Sequence, residues 1–182
     1  EANELYRQVS ELPCPPLLDA RQHFEGYQIV REIKGSSRSH IYLAVDEASG
    51  ERVVVKIPAV DMHGNAAALE RFMLEEWIAR RINSAHVLKP CHQIRPRNYL
   101  YVVTEYIEGQ TLAACLKARG GKPVSLRGAA QVIHSVCEAL EAAEEHGEGA
   151  PHGALRPDAV WIGQNGVVKV AEFGVASALV GQ

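Results

Sequence analysis

The chain has 182 residues, 47% of them hydrophobic and 23% charged, an ordinary composition for a soluble globular protein. Nineteen Lys and Arg against 22 Asp and Glu leave a net charge of −3, which argues against a nucleic-acid binder of the usual basic kind. No run approaches about eighteen consecutive apolar residues, so no membrane segment is expected within the chain. A chain this long can bury roughly 70% of its unfolded surface and needs neither disulfides nor a metal to fold. Cys14, Cys91, Cys115 and Cys137 are scattered, without metal-ligand spacing, the pattern of reduced thiols in a cytoplasmic protein. The chain opens at Glu1 without a methionine or a signal-peptide pattern. It therefore reads as a piece of a longer protein, with any membrane tether lying outside it.

Leu5, Val9 and Leu12 stand at helical spacing in residues 1–12, and Pro13, Pro15 and Pro16 end that helix. Residues 1–22 read as a short helix and a linker. Short β-type runs follow at 27–33, 41–46 and 53–57, the last two joined by the turn-forming EASGE. After Pro58, a stripe of Leu69, Phe72, Ala79 and Ile82 predicts a helix. Two more strands are expected near 91–95 and at 99–105, joined by Pro96-Arg97-Asn98. Helices are expected at about 111–119 and 125–146, the second with Val132, Val136, Cys137 and Leu140 on its core face and Glu138, Glu141 and Glu145 outside. The chain closes on strands at 160–162 and 167–170, with Asn165-Gly166 as a hairpin signal between them.

Glu75 falls on the stripe of Phe72, Ala79 and Ile82 and is expected to point inward. A buried carboxylate needs a partner, and Lys56, in the apolar strand VVVK, is the obvious buried cation. A strand lysine paired with a helix glutamate is the ion pair with which protein kinases hold nucleotide phosphates. With that pair as anchor, residues 27–174 resemble the eukaryotic-like protein kinase fold. IKGSSRSHIYLA (33–44) lies at the glycine-rich loop, and VVVK (53–56) corresponds to the VAIK strand. VVTEYIEGQTL (102–112) resembles the hinge, with Thr104 at the gatekeeper position. HGALRPDAVWI (152–162) falls where HRDLKPENI-like sequences lie, and AEFG (171–174) where DFG follows a strand. Six motifs occur in order at the expected spacings. The wording of SSRSHIYLAVDEASGERVVVKIP, LERFMLEEWIARRINSAHVLKPC and RNYLYVVTEYIEGQTL is similar to the kinase-like half of bacterial proteins that fuse a 2C-type protein phosphatase to a Ser/Thr kinase domain.

The resemblance implies an α+β fold of two lobes. A five-stranded antiparallel N-lobe with one main helix spans 23–103, and the hinge with a mainly helical C-lobe, cut short after the DFG-equivalent, spans 104–182. It also exposes departures at the positions that do chemistry. Ala154 stands where a kinase has its catalytic aspartate, and loss of a general base alone is worth roughly 10²–10⁴ in rate. Ala159 replaces the metal-binding asparagine, and Glu172 replaces the DFG aspartate. Asp158 is a poor substitute base, because neighbours on an extended segment point opposite ways. Lys34, Ser36 and Ser39 occupy the places of the three glycines, with Gly35 displaced by one. Lys34, Arg38 and His40 either contact an anion or form a solvated hairpin tip. Val54 replaces a small alanine, and Trp161 replaces a leucine under the adenine, so both are expected to fill space the base would need; in the competing reading Trp161 turns aside and stacks on a nucleotide.

What survives is the scaffold: Lys56, Glu75, His152, Phe173 and Gly174. The resemblance then implies a pseudokinase, a regulatory or interaction module without phosphoryl transfer. No catalytic residue, metal or cofactor is expected. Its partners would be a protein phosphatase domain, linked in cis or separate, and a protein at the active-site face. The alternative is a weak or unconventional Ser/Thr kinase that binds ATP and Mg²⁺ through Lys56, Glu75, Thr104, Glu105, Ile107 and Glu172.

Overall fold

The computed structural model describes residues 11–92, 95–146, 152–153 and 155–173. The expected helix in residues 1–12 lies almost wholly outside them, as do Ala154 and Gly174. The chain divides into two compact units, one of residues 1–73 and 90–106, the other of 74–89 and 107–182.

The first unit is built on an antiparallel five-stranded sheet in sequential order: β1 (His23–Phe24), β2 (Tyr27–Gly35), β3 (Ser39–Asp46), β4 (Arg52–Pro58) and β5 (Val102–Glu105). The β1–β2 turn at Glu25-Gly26 has positive φ at both residues, 51° and 83°, the geometry whose twist suits a two-residue hairpin. Between β3 and β4, the Asp46 carboxylate accepts from the Ala48 N–H at 2.9 Å, and Gly50 takes the left-handed φ of 73°. Residues alternate across β4. Val53, Val55 and Ile57 are buried with Phe24, Tyr27, Ile29, Tyr42, Ala44, Tyr101 and Val103, while Val54 and Lys56 face the other side.

The sheet has the expected number of strands but not the expected members. Residues 90–92 make only a bridge from Pro90 to Thr104 and a 2.8 Å hydrogen bond from the Cys91 N–H to the Val103 carbonyl. Pro90 and Pro96 bracket that segment and remove ladder donors. Residues 99–101 do not extend β5, because the Leu100 N–H donates to the Pro13 carbonyl at 2.9 Å instead. β1, only two residues long, supplies the fifth strand.

Helix α1 (Ala66–Arg81) starts where the Asn65 side-chain oxygen accepts the Ala68 N–H at 3.1 Å, an N-cap. Its Leu69, Phe72 and Met73 pack with Leu100 and Val102 in the first unit. In the second unit Leu74, Trp77, Ile78, Ala79 and Ile82 pack with Val87, Val170 and Phe173.

That unit also holds a three-stranded antiparallel sheet, β6 (Gly109–Thr111), β7 (Val160–Gly163) and β8 (Val168–Val170), with helices α2 (Leu112–Ala118) and α3 (Leu126–His146). Thr111 caps α2 by accepting the Ala114 N–H at 3.1 Å. Gly166, at φ 80°, turns the chain between β7 and β8, as Asn165-Gly166 predicts. On α3, Ser135, Ala139 and Ala143 are buried, and Ala139 and Ala143 pack with Val170, flanked by Val136 and Leu140. Cys137, expected on the core face, is exposed. At 100° per residue the buried line runs 132, 135, 139, 143, and Cys137 falls off its edge.

Candidate functional site

In the first unit the sheet register assembles a row of side chains on the face away from the core. Val54 stands directly across from Leu43 on one side and Thr104 on the other. Lys56 stands across from Ile41 and Val102. Lys56 is half-buried, with its ammonium 5.6 Å from the centroid of the Phe72 ring, within cation–π range. The Thr104 hydroxyl donates to the Glu105 carbonyl at 3.4 Å, and Glu105, opposite Val53, is half-buried. Val54 thus places a branched side chain beside the gatekeeper position, on the same face as Lys56.

The loop between β2 and β3 is closed on itself. The Ser36 hydroxyl accepts from the Arg38 and Ser39 N–H groups at 3.3 and 3.1 Å, and the Ser36 N–H donates to the Ser39 carbonyl at 3.0 Å. Backbone donors of the kind that cradle a phosphate are therefore used within the turn. His40 contacts Glu32 at 2.7 Å, and a Cβ on Gly35 would lie 2.7 Å from that same carboxylate. Of the residues at the tip, Lys34 and Arg38 are exposed, and His40 is half-buried against Glu32.

On α1 the buried carboxylate is Glu76, 6% exposed and paired with Arg80 one turn on at 2.5 Å. Glu75 is half-buried. Glu75 at i+3 and Glu76 at i+4 are both same-face neighbours of Phe72, so the spacing alone does not separate them. Glu75 belongs to the second unit and Lys56 to the first.

The second unit gathers the remaining landmarks. His152 is buried, sits 2.7 Å by Nε2 from the Ala171 carbonyl, and meets the buried Phe173 ring edge-on at 4.6 Å between centroids. Pro157–Ala159 form a 3-10 turn that leaves Asp158 exposed and Ala159 fully buried. The segment is a turn rather than extended chain, yet Asp158 still points away from its neighbour. The Ala171 N–H donates to the Ala159 carbonyl at 2.8 Å, tying the two segments together.

Glu172 adopts a left-handed φ of 63°, a conformation that costs a non-glycine residue about 1–3 kcal/mol. Its Oε2 accepts from Arg156 Nη2 at 2.6 Å. Arg156 Nε is buried with no hydrogen-bond partner among the described residues. The sequence reading missed Arg156, although its signal was present in Leu155-Arg156-Pro157, where HRDLKPENI has Leu-Lys-Pro. Trp161 is half-buried on the β7 face opposite Val160, Val168 and Val170, aligned with Thr111 and Lys169. Ile107 is half-buried in this unit.

A five-stranded antiparallel sheet with a lysine on β4, together with a buried histidine and a strand followed by Glu172-Phe173, matches a kinase-type scaffold. The chain belongs to the protein kinase domain family, whose model matches residues 27–182. It is 30% identical over 84% of its length to the probable serine/threonine-protein kinase PknB of Bifidobacterium longum. It is 29% identical over 84% to the serine/threonine-protein kinase PrkC of Bacillus subtilis. It spans 23% of the length of each of these relatives. The Mycobacterium tuberculosis PknI kinase domain superposes with a TM-score of 0.72 at 22% identity, over 88% of this chain and 63% of that one, a likeness of fold.

In this family magnesium is held by the DFG aspartate and the catalytic-loop asparagine. The matching positions here offer a buried methyl at Ala159 and a carboxylate at Glu172 already bound to a guanidinium. That donor set does not fit the family's metal. Among the described residues no group of three or more His, Cys, Asp or Glu side chains could hold a metal ion, and no helix is long and apolar enough to cross a membrane.

Proposed function

We propose that this chain is a catalytically inactive kinase-family module, a pseudokinase that acts by contact rather than by phosphoryl transfer. One observation carries the reading: of the two positions that hold magnesium in the family, one is a fully buried alanine and the other is engaged by Arg156. Ala154 adds the loss of the general base. The self-bonded Ser36–Ser39 turn and the Val54 side chain beside Thr104 agree with a site that neither cradles phosphates nor leaves room for the base. No metal or nucleotide is required. The regulated partner is a protein phosphatase domain of the 2C type, linked in cis or separate; the support is the similarity of residues 36–58, 69–91 and 97–112 to phosphatase–kinase fusions.

The second reading, a weak Ser/Thr protein kinase, has specific support in its relatives' names, in Lys56 and in the carboxylate kept at Glu172. Incubation of the chain with labelled ATP, Mg²⁺ or Mn²⁺ and a general Ser/Thr substrate separates the two. No transfer above a Lys56→Ala control is expected, whereas transfer lost in that variant would establish the kinase. Addition of the chain to a 2C-type phosphatase domain from the same source should change its rate on a phosphopeptide; an unchanged rate would reject that partner.

A further inference from the structure

We infer that Arg156 is a resident cation for Glu172, a built-in guanidinium that occupies the place of a divalent metal and holds residues 171–173 in one conformation. The inference rests on the inactive-kinase reading and names what fills its metal position.

The geometry is specific. The contact at 2.6 Å joins two half-buried side chains, Arg156 41% and Glu172 25% exposed. The carboxylate is aimed by a constrained backbone. Glu172 is left-handed, the preceding residue is held through both its N–H, to Ala159, and its carbonyl, to His152, and the following Phe173 is buried against that histidine. The guanidinium comes from an extended residue whose carbonyl accepts the Ala159 N–H at 2.9 Å, so both ends of the pair are tied to one 3-10 turn. Arg156 Nε is buried without a hydrogen-bond partner among the described residues, while Nη2 is directed at Glu172.

The chemistry differs from that of a metal in one useful respect. Magnesium demands near-octahedral oxygen ligands at about 2.0–2.1 Å, and its occupancy follows its concentration. A guanidinium keeps its charge at any physiological pH and needs only the carboxylate. The Glu172 segment is therefore held in the same shape whether divalent cations are abundant or scarce, as suits a surface that a partner reads.

The test uses Mn²⁺ alone, without nucleotide, on the full chain. Melting temperature is followed through a millimolar titration, and each variant is compared with its Glu172→Gln counterpart so that binding elsewhere cancels. The wild-type chain should show no Glu172-dependent shift. Arg156→Gln combined with Ala159→Asn, which uncovers the carboxylate and returns a second oxygen ligand, should gain one of about 3 °C, and Ala159→Asn alone, with Arg156 in place, should not. A Glu172-dependent shift in the wild type or in Ala159→Asn, or none in the folded double variant, overturns the assignment. If the double variant does not fold, the comparison of Ala159→Asn with its Glu172→Gln counterpart still decides. Phosphate transfer by a wild type that ignores Mn²⁺ would refute the inactive reading while supporting the cation. A Glu172-dependent Mn²⁺ shift without transfer would overturn the cation alone.

Discussion

Arg95 is the side chain on which the turns of the first unit converge. Its guanidinium donates to the Gly26 carbonyl at 3.0 Å and to Asp46 at 2.6 Å, and its carbon lies 5.2 Å from the Tyr27 ring centroid. Gly26 is required there, because a Cβ would sit 2.4 Å from that guanidinium at a backbone φ of 83°. Burial pushes the Asp46 carboxyl up, but hydrogen bonds from Arg95 and the Ala48 N–H outweigh it and hold the group below its ordinary value of 3.8. A carboxyl depressed in the folded state contributes stability that is full above its unfolded pKa and is lost as the pH falls through the folded value. Arg95→Met should therefore cost about 1 kcal/mol at neutral pH after screening, and the gap from wild type should close as the pH drops below about 4, as read by urea unfolding across pH. Lys56→Ala should lower the melting temperature by about 3 °C through loss of the Phe72 contact, with phosphate transfer staying at background. At this scale the sequence was informative about identity and poor about pairing. Ala154, Ala159 and Glu172 were legible as letters in known motifs. The Arg156–Glu172 contact joins residues 16 apart and depends on a left-handed backbone that no local pattern announces.

Among the elements, β6 shows how little sequence a strand needs when a neighbour supplies the ladder. Gly109 pairs with Gly163 so closely that a Cβ would lie 2.0 Å from the Ile162 carbonyl. Gly109→Ala should thus cost about 1–3 kcal/mol and lower the melting temperature by roughly 3–10 °C, measured by calorimetry; an unchanged value would mean that β6 is not docked as described. The same element marks the limit of legibility. β2, β3, β4, α1, α2 and α3 carry enough periodic residues to be read from the chain, and their turn residues agree. β1 and β6 have two and three residues and no period, and they exist because β2 and β7 pair with them. The strand expected at 91–95 falls partly outside the described residues; at its described start, Pro90 and Cys91 make a bridge and one hydrogen bond to β5 rather than a ladder. On α1, Glu75 and Glu76 both lie within one turn of Phe72, and spacing alone does not show that Glu76 is the more buried of the two, with the exposed Arg80 as its partner one turn on.

For the molecule as a whole, the family is that of protein kinase domains, and the proposed function is a scaffold that keeps the fold without the chemistry. The residues that remain from the family, Lys56, His152 and Phe173, are packed against aromatic rings or each other. In the proposed function, Val54 and Trp161 are side chains that fill space an adenine ring would need; on that proposal, Val54→Ala with Trp161→Leu should produce a melting shift with an adenine nucleotide that the parent lacks. Failure of that gain in a folded variant would place the block elsewhere, with the closed Ser36–Ser39 turn as the next element to open. The most direct measurement of the central claim is the melting temperature of the chain with and without millimolar ATP and Mg²⁺. A ligand at 100 times its Kd stabilises by about 2.7 kcal/mol, several degrees for a protein of this size. The account predicts no shift; a clear Mg²⁺-dependent rise of that order would contradict it and make the chain a nucleotide-binding protein.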